Sequence, residues 1–175
     1  MSSHVIANNK LYVVPGAAIY HFGIMSSEMH MAWMRYTCGR MKSDFSYSKD
    51  IVYNNFPWPD LPPSQPSPAS GGRSKSVAAI EAAAQTVLDA RAAFPDSTLA
   101  DLYDPVTMPP LLVKAHQTLD RAVDAAYGKR NFKSDADRVA FLFERYQALT
   151  SAPHHKTQAC DQEVVFNMIN RMMDR

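Results

Sequence analysis

What this 175-residue sequence has little of removes several classes of protein at once. Its two cysteines, Cys38 and Cys160, stand far apart and without metal-ligand spacing, so a disulfide framework is excluded and reduced thiols in a cytosolic setting are expected. Charge of neither sign is in excess: 18 Lys and Arg face 17 Asp and Glu, and the net charge of +1 does not by itself demand a nucleic-acid partner. No apolar run is long enough to cross a membrane, and the N-terminus lacks the basic and apolar regions of a signal peptide. Only six glycines occur, and none builds a phosphate-cradling loop or a Gly-x-Ser-x-Gly elbow. His21, His30 and Cys38 are scattered donors without the close pairing of a structural zinc site. His154-His155-Lys156 reads as a solvated tail, and there is no internal repeat. At this length the chain holds one core or two small ones.

What is present is organised around Tyr47 to Pro59, where a polar loop runs into a short aromatic and β-branched stretch. Ile51, Val52, Tyr53 and Phe56 are strand-forming types, and a strand stopped by Pro57 is expected there. Asn54-Asn55 offers either a turn or amides aimed at a polar partner, and Trp58 needs an apolar bed with an acceptor for its N–H. Ahead of this stretch, Leu11–Val14 and Ala18–Phe22 read as two short strands joined by Pro15-Gly16, the second ended by Gly23. Ser26-Ser27-Glu28 then caps a helix of about three turns that stops at Gly39. Met25, Met29, Ala32, Trp33 and Tyr36 recur at helical spacing as its buried face, and Met31 and Met34 widen that face, so the helix is expected to be wedged between neighbours.

After Pro59 the composition changes. Residues 60–76 are rich in Pro, Ser and Gly, show no apolar periodicity and read as a mobile linker. Over 77–150 three amphipathic patterns follow. Val77, Ile80, Ala84, Val87 and Leu88 line the first, and a short turn of helix from Thr98 to Tyr103 leads to the next. That second helix starts at Pro109-Pro110, is lined by Leu112, Ala115, Leu119, Ala122, Val123 and Ala126, and ends at Gly128. Ser134 caps a third, with Asp135 and Asp137 in its first turn and Val139, Leu142, Phe143, Tyr146 and Leu149 facing inward. Three single-striped helices are expected to pack on one another. Seven basic residues between Lys114 and Arg145 leave a basic face open to this half. Residues 151–175 form a tail in which Val164–Met172 has helical character. The fold class is therefore α+β, a small mixed α/β piece over 1–59 followed by a mainly α-helical bundle.

Asn55-Phe56-Pro57-Trp58 has a superficial likeness to the Asn-Pro-Pro-aromatic motif with which amino-methyltransferases hold a flipped base, but Phe56 stands where that motif has its first proline. A closer similarity is carried by Tyr20–Ile24, Met29–Arg35, Cys38-Gly39-Arg40 and Tyr47–Pro59. These strings resemble the end of the target-recognition domain of MmeI-like (type IIL restriction–modification) DNA methyltransferases. Leu102–Pro105, Met108–Pro110, Lys114-Ala115-His116, Leu119–Gly128 and Arg138–Glu144 resemble that family's C-terminal helical domain. The resemblance runs from about Ser3 to Thr150.

It implies a parent polypeptide in which an adenine-specific methyltransferase domain using S-adenosylmethionine is joined to a DNA-recognition domain, in a prokaryotic cytoplasm. This chain corresponds to the far end of such a protein and contains neither the cofactor loop nor the base-holding motif, so no catalytic, cofactor or metal residue is assigned. Double-stranded DNA and the parent's methyltransferase domain are the implied partners, with self-association through exposed strand edges as a further expectation. Arg35, Arg40, Ser48 and Lys49 carry donors suited to phosphate. Lys42 and Asp44 are suited to a G·C pair, lysine donating to guanine and aspartate accepting from the cytosine amino group, provided an extended loop turns both to one side. The alternative is a helical protein-interaction module that does not bind DNA.

Overall fold

The computed structural model describes residues 12–42, 44–59, 75–128 and 132–151. Residues 60–74 of the expected linker, Leu11 of the first expected strand and the helical pattern at 164–172 lie outside them, whereas Lys75 and Ser76 already belong to a helix and Tyr12–Val14 are in no strand. Helices α1 (Ile19–Met25) and α2 (Glu28–Thr37) come first, followed by a hairpin of β1 (Gly39–Met41) and β2 (Asp44–Ser46) and a π-helical turn over Lys49–Tyr53. Helices α3 (Lys75–Ala92), α4 (Leu99–Leu102), α5 (Pro110–Ala126) and α6 (Asp135–Ser151) complete the order. A small α/β piece is thus followed by helices, as the patterning implied. The two segments nevertheless share a single hydrophobic core in which Ile24, Met29 and Trp33 pack with Ile80, Val87, Leu119 and Leu142.

Most helices start where their caps predict. Ser27 is the N-cap of α2, its hydroxyl accepting from the His30 amide and donating to Ile24 O at 2.6 Å. Thr98 and Asp101 bond reciprocally to open α4, and Ser134 accepts from the Asp137 amide at 3.2 Å ahead of α6. Pro110 occupies the first position of α5, where the absent N–H leaves nothing unpaired, and Gly128, at φ 78°, terminates it.

Two expected strands are helical instead. Ala18–Phe22 falls largely in α1, and Gly23 does not stop that element but lies buried within it. A Cβ at Gly23 would meet Ile80 Cγ2 at 2.8 Å and Ala84 Cβ at 3.1 Å, so the glycine lets α1 approach the alanine-lined face of α3. Tertiary packing overrides the strand propensity of Ile19, Tyr20 and Phe22. Ile51–Phe56 is likewise not a strand, for it has no partner strand among the described residues and its polar groups are met locally. Ser48 Oγ accepts from the Ile51 amide, and the Asn55 side chain donates to Asp50 O and Ile51 O at 2.8 and 3.1 Å. Two residues expected inside, Tyr36 and Leu149, are exposed at 39% and 49%. On α2 the place of Tyr36 is taken by His30, Met34 and Thr37, all buried.

The segment Phe56–Pro59 is held between the two halves. Tyr127 of α5 donates to Pro57 O at 3.0 Å, and Arg145 of α6 donates to Trp58 O at 3.3 Å. Trp33 is fully buried, donates its indole N–H to Val52 O at 3.0 Å and packs on Phe56, Phe143 and Tyr146. Arg138 and Arg145 are therefore turned toward the protein, which removes them from the basic face expected of the helical half; Lys114, Arg121 and Lys133 remain exposed.

Gly23→Ala tests the close approach of α1 and α3. Overpacking costs about 1–3 kcal/mol and alanine's helix propensity returns up to about 1 kcal/mol, so the variant should lose roughly 1–2 kcal/mol in urea unfolding. A variant as stable as the parent would show that Ile80 and Ala84 yield.

Candidate nucleic-acid interface

Helix α2 carries the candidate surface at its C-terminal end. Cys38 caps the helix, its amide donating to Met34 O at 3.0 Å and its thiol to Met34 Sδ at 3.5 Å. The chain then leaves the body as an antiparallel ribbon in which Gly39 faces Ser46, Arg40 faces Phe45 and Met41 faces Asp44. Both strands are exposed along their whole length, and Met41 and Phe45 are exposed at 71% and 43%. A ribbon that buries none of its side chains adds nothing to the core, which sets it apart from every helix around it.

Lys42 sits in the turn with φ 58°, a left-handed conformation uncommon for lysine but suited to a tight hairpin. The extended loop expected across Lys42 and Asp44 is thus replaced by a turn, and strand alternation does not set their relative directions. They are brought together another way, because Lys42 follows β1 and Asp44 opens β2, both exposed at the tip. Arg40 lies over the ring of its cross-strand partner Phe45 with the guanidinium carbon 4.5 Å from the centroid, which stiffens the arginine and leaves its outer donors in solvent. Sequence reasoning missed Phe45, whose only signal was an aromatic residue in a polar loop.

Beyond the ribbon, Lys49 pairs with Asp50 at 3.2 Å, with side chains 55% and 67% exposed, a solvated contact worth less than about 1 kcal/mol and easily exchanged for a phosphate. Ser48 uses a lone pair on the Ile51 amide and keeps its hydroxyl proton to donate. Arg35 is different. Its guanidinium bonds Glu28 and, at 2.6 Å, Asp135, so it ties α2 to α6.

A layer of buried and half-buried polar groups lies at the first turn of α2. The Tyr47 hydroxyl, pushed up to about 12 by burial, is 3.1 Å from His30 Nε2, and burial lowers His30 to about 4, so both groups are neutral at ordinary pH. At the other end of the layer, Asp120 of α5 accepts from the Glu28 amide at 2.8 Å and so gives α2 a second cap, from another helix. Burial raises Asp120 to about 6, with the Glu28 and Asp124 carboxylates adding to the effect. Asp124 is buried and bonds Arg138 at 3.1 Å, yet its own affinity for a proton is raised because burial outweighs the arginine's pull.

Asp120 and His30 titrate in one window with opposite sign. The carboxyl binds a proton in the folded state that the unfolded state releases, so its contribution is full below 3.8 and is lost as pH rises through about 6. Imidazole behaves in reverse, contributing above 6.5 and losing that contribution as pH falls through about 4. Each effect is on the order of 3 kcal/mol. Urea midpoints should accordingly change little between pH 4.5 and 6 in the parent, while Asp120→Asn should lose stability toward acid and His30→Gln should gain it. Equal slopes in all three proteins would refute the assignment.

Comparison with known proteins bears on both halves of the chain. Residues 1–60 match the family model of the MmeI target recognition domain, and residues 72–153 match that of the MmeI C-terminal domain. DNA methyltransferase A of Bacillus subtilis (strain 168) is 41% identical over 145 residues, which cover 83% of this chain and 15% of that protein. A solved structure of the type IIL restriction–modification enzyme MmeI in complex with DNA is 47% identical with a TM-score of 0.69, over 79% of this chain and 17% of that one. The chain thus spans less than a fifth of the length of either relative. Matches that run through both segments are not accounted for by a DNA-free helical interaction module.

Proposed function

From the premise that this chain belongs to the MmeI family, in which it carries target-recognition and C-terminal sequence, we propose that it is the DNA-recognition and scaffold end of an adenine-specific methyltransferase of a restriction–modification system. The observation that carries the reading is the bare ribbon Gly39–Ser46, exposed on both strands and bearing Arg40, Lys42 and Asp44. A two-stranded ribbon fits the major groove, about 12 Å wide, where the base edges carry a full donor and acceptor code. Double-stranded DNA is the partner, and the cytoplasm of a prokaryote the setting.

Within that reading the contacts divide by chemistry. Arg40, Ser48 and Lys49 meet phosphates and hold the register without reading sequence. Lys42 and Asp44, at the tip, meet one G·C pair, the lysine on guanine O6 and N7 and the aspartate on the cytosine amino group. A carboxylate near the phosphate backbone is repelled unless a base amino group receives it, which is the reason to place Asp44 at a base edge. Arg35 is set aside from the phosphate contacts because its donors are engaged by Glu28 and Asp135. S-adenosylmethionine and the chemistry of methyl transfer belong to the methyltransferase domain of the parent polypeptide, which the helical body of this chain supports.

Binding of the chain to duplex DNA should weaken steeply between 50 and 200 mM salt, and Arg40→Ala should lower affinity for all sequences alike while reducing the salt slope by about 1. Salt-independent binding, or none, would overturn the reading. In the intact enzyme, replacing Lys42 and Asp44 by a different charged pair should alter the preferred base at one position of the methylated site. A good base contact is worth about 1–3 kcal/mol of discrimination, so the change should be roughly ten-fold or more. An unchanged methylated sequence would remove both residues from base reading.

A further inference from the structure

We propose that His30 and Tyr47 form a latch that fixes the angle of the ribbon against the helical body, making them positioning residues for recognition; this rests on the ribbon's groove-entering role proposed above. The ribbon has two feet, side by side because Gly39 faces Ser46. One is Cys38, buried and bonded to Met34 through amide and thiol. A single attachment of this kind permits a swing about the end of α2. The second foot is Tyr47, half-buried and next in the chain after β2, whose hydroxyl reaches back along α2 to His30.

His30 is well made for holding a fixed point. It is 2% exposed, it stands on the first turn of α2, and the ring of Phe56 meets it edge-on at 4.6 Å and 80°, which sets the plane of the imidazole. One turn further on, Trp33 holds Val52 O and so secures the chain that returns from Tyr47. The two feet are anchored at different points of α2, one at Cys38 and the other at His30, about eight residues or roughly 12 Å apart at 1.5 Å per residue. The geometry of the lever shows what the latch controls. Three strand residues extend about 10 Å, so a swing of roughly 20° moves the tip about 3.4 Å, one base-pair step. A loose foot would leave Lys42 and Asp44 free to face the neighbouring pair, whereas the contacts of Ser48 and Lys49, which lie beyond the ribbon, would be little affected.

Tyr47→Phe removes the hydroxyl and keeps the ring. In the free chain, amide hydrogen exchange over Gly39–Ser46 should speed up several-fold while α5 stays as protected as before. In the intact parent enzyme, methylation of plasmid DNA read by sequencing should spread to sites with one wrong base, with a roughly five-fold rise relative to the true site. His30→Gln, whose amide still offers Tyr47 a donor and an acceptor, should retain a protected ribbon, and His30→Leu should not. Unchanged exchange in the ribbon, or faster exchange everywhere including α5, overturns the latch. Faster exchange confined to the ribbon with fidelity unchanged leaves the latch standing and removes the ribbon from base reading, so the two proposals fail separately.

Discussion

The Trp33 indole is the point on which the rest of the molecule depends. It is fully buried, so its one polar atom must be met inside, and Val52 O meets it. That bond holds the π-helical turn against α2, and the same ring packs on Phe143 and Tyr146 of α6. A segment too short to build a core of its own is thereby folded into the core of the helical bundle. Tyr127 and Arg145 strengthen the joint by donating to the carbonyls of Pro57 and Trp58, backbone acceptors that prolines on either side keep free of any ladder. One body results from two stretches of sequence whose compositions differ sharply.

Much of this was legible in the sequence wherever the signal was local. Ser27, Thr98, Ser134 and Pro110 mark helix starts because capping depends on the few residues around them, and the stripes of α3 and α5 follow from a period that burial enforces along one face. Failures occurred where the deciding partner was distant. Nothing within Ala18–Phe22 announces that Gly23 must admit Ile80 and Ala84, so its β-favouring residues point to a strand. Ile51–Tyr53 reads as a strand because its apolar residues are β-branched or aromatic, but a strand needs a neighbour, and Ser48, Asn54 and Asn55 close the backbone on itself.

The candidate interface was legible in its chemistry and not in its geometry. Arg40, Lys42, Asp44, Ser48 and Lys49 are all in or beside the ribbon; their side-chain chemistry suits DNA, and the family resemblance pointed to this stretch of the chain. That Lys42 would occupy a left-handed turn, and that Arg40 would rest on Phe45, required the pairing of β1 with β2. Arg35 and Arg138 show the opposite case: the same residue type, equally charged in sequence, is drawn inward by carboxylates on other helices. Only the fold distinguishes a cation that braces helices from one that faces solvent.

Because neither ribbon strand buries a side chain, the residues that meet solvent at Gly39–Ser46 and the residues that hold the fold are almost disjoint sets. Substitutions in the first set escape the penalty that core substitutions incur, where most changes destabilise. A lineage can therefore drift through many ribbon sequences while its folded population stays constant, and on the DNA-recognition reading proposed above each step is tested for what it binds and not for whether it folds. The architecture separates the inheritance of a scaffold from the inheritance of a preference.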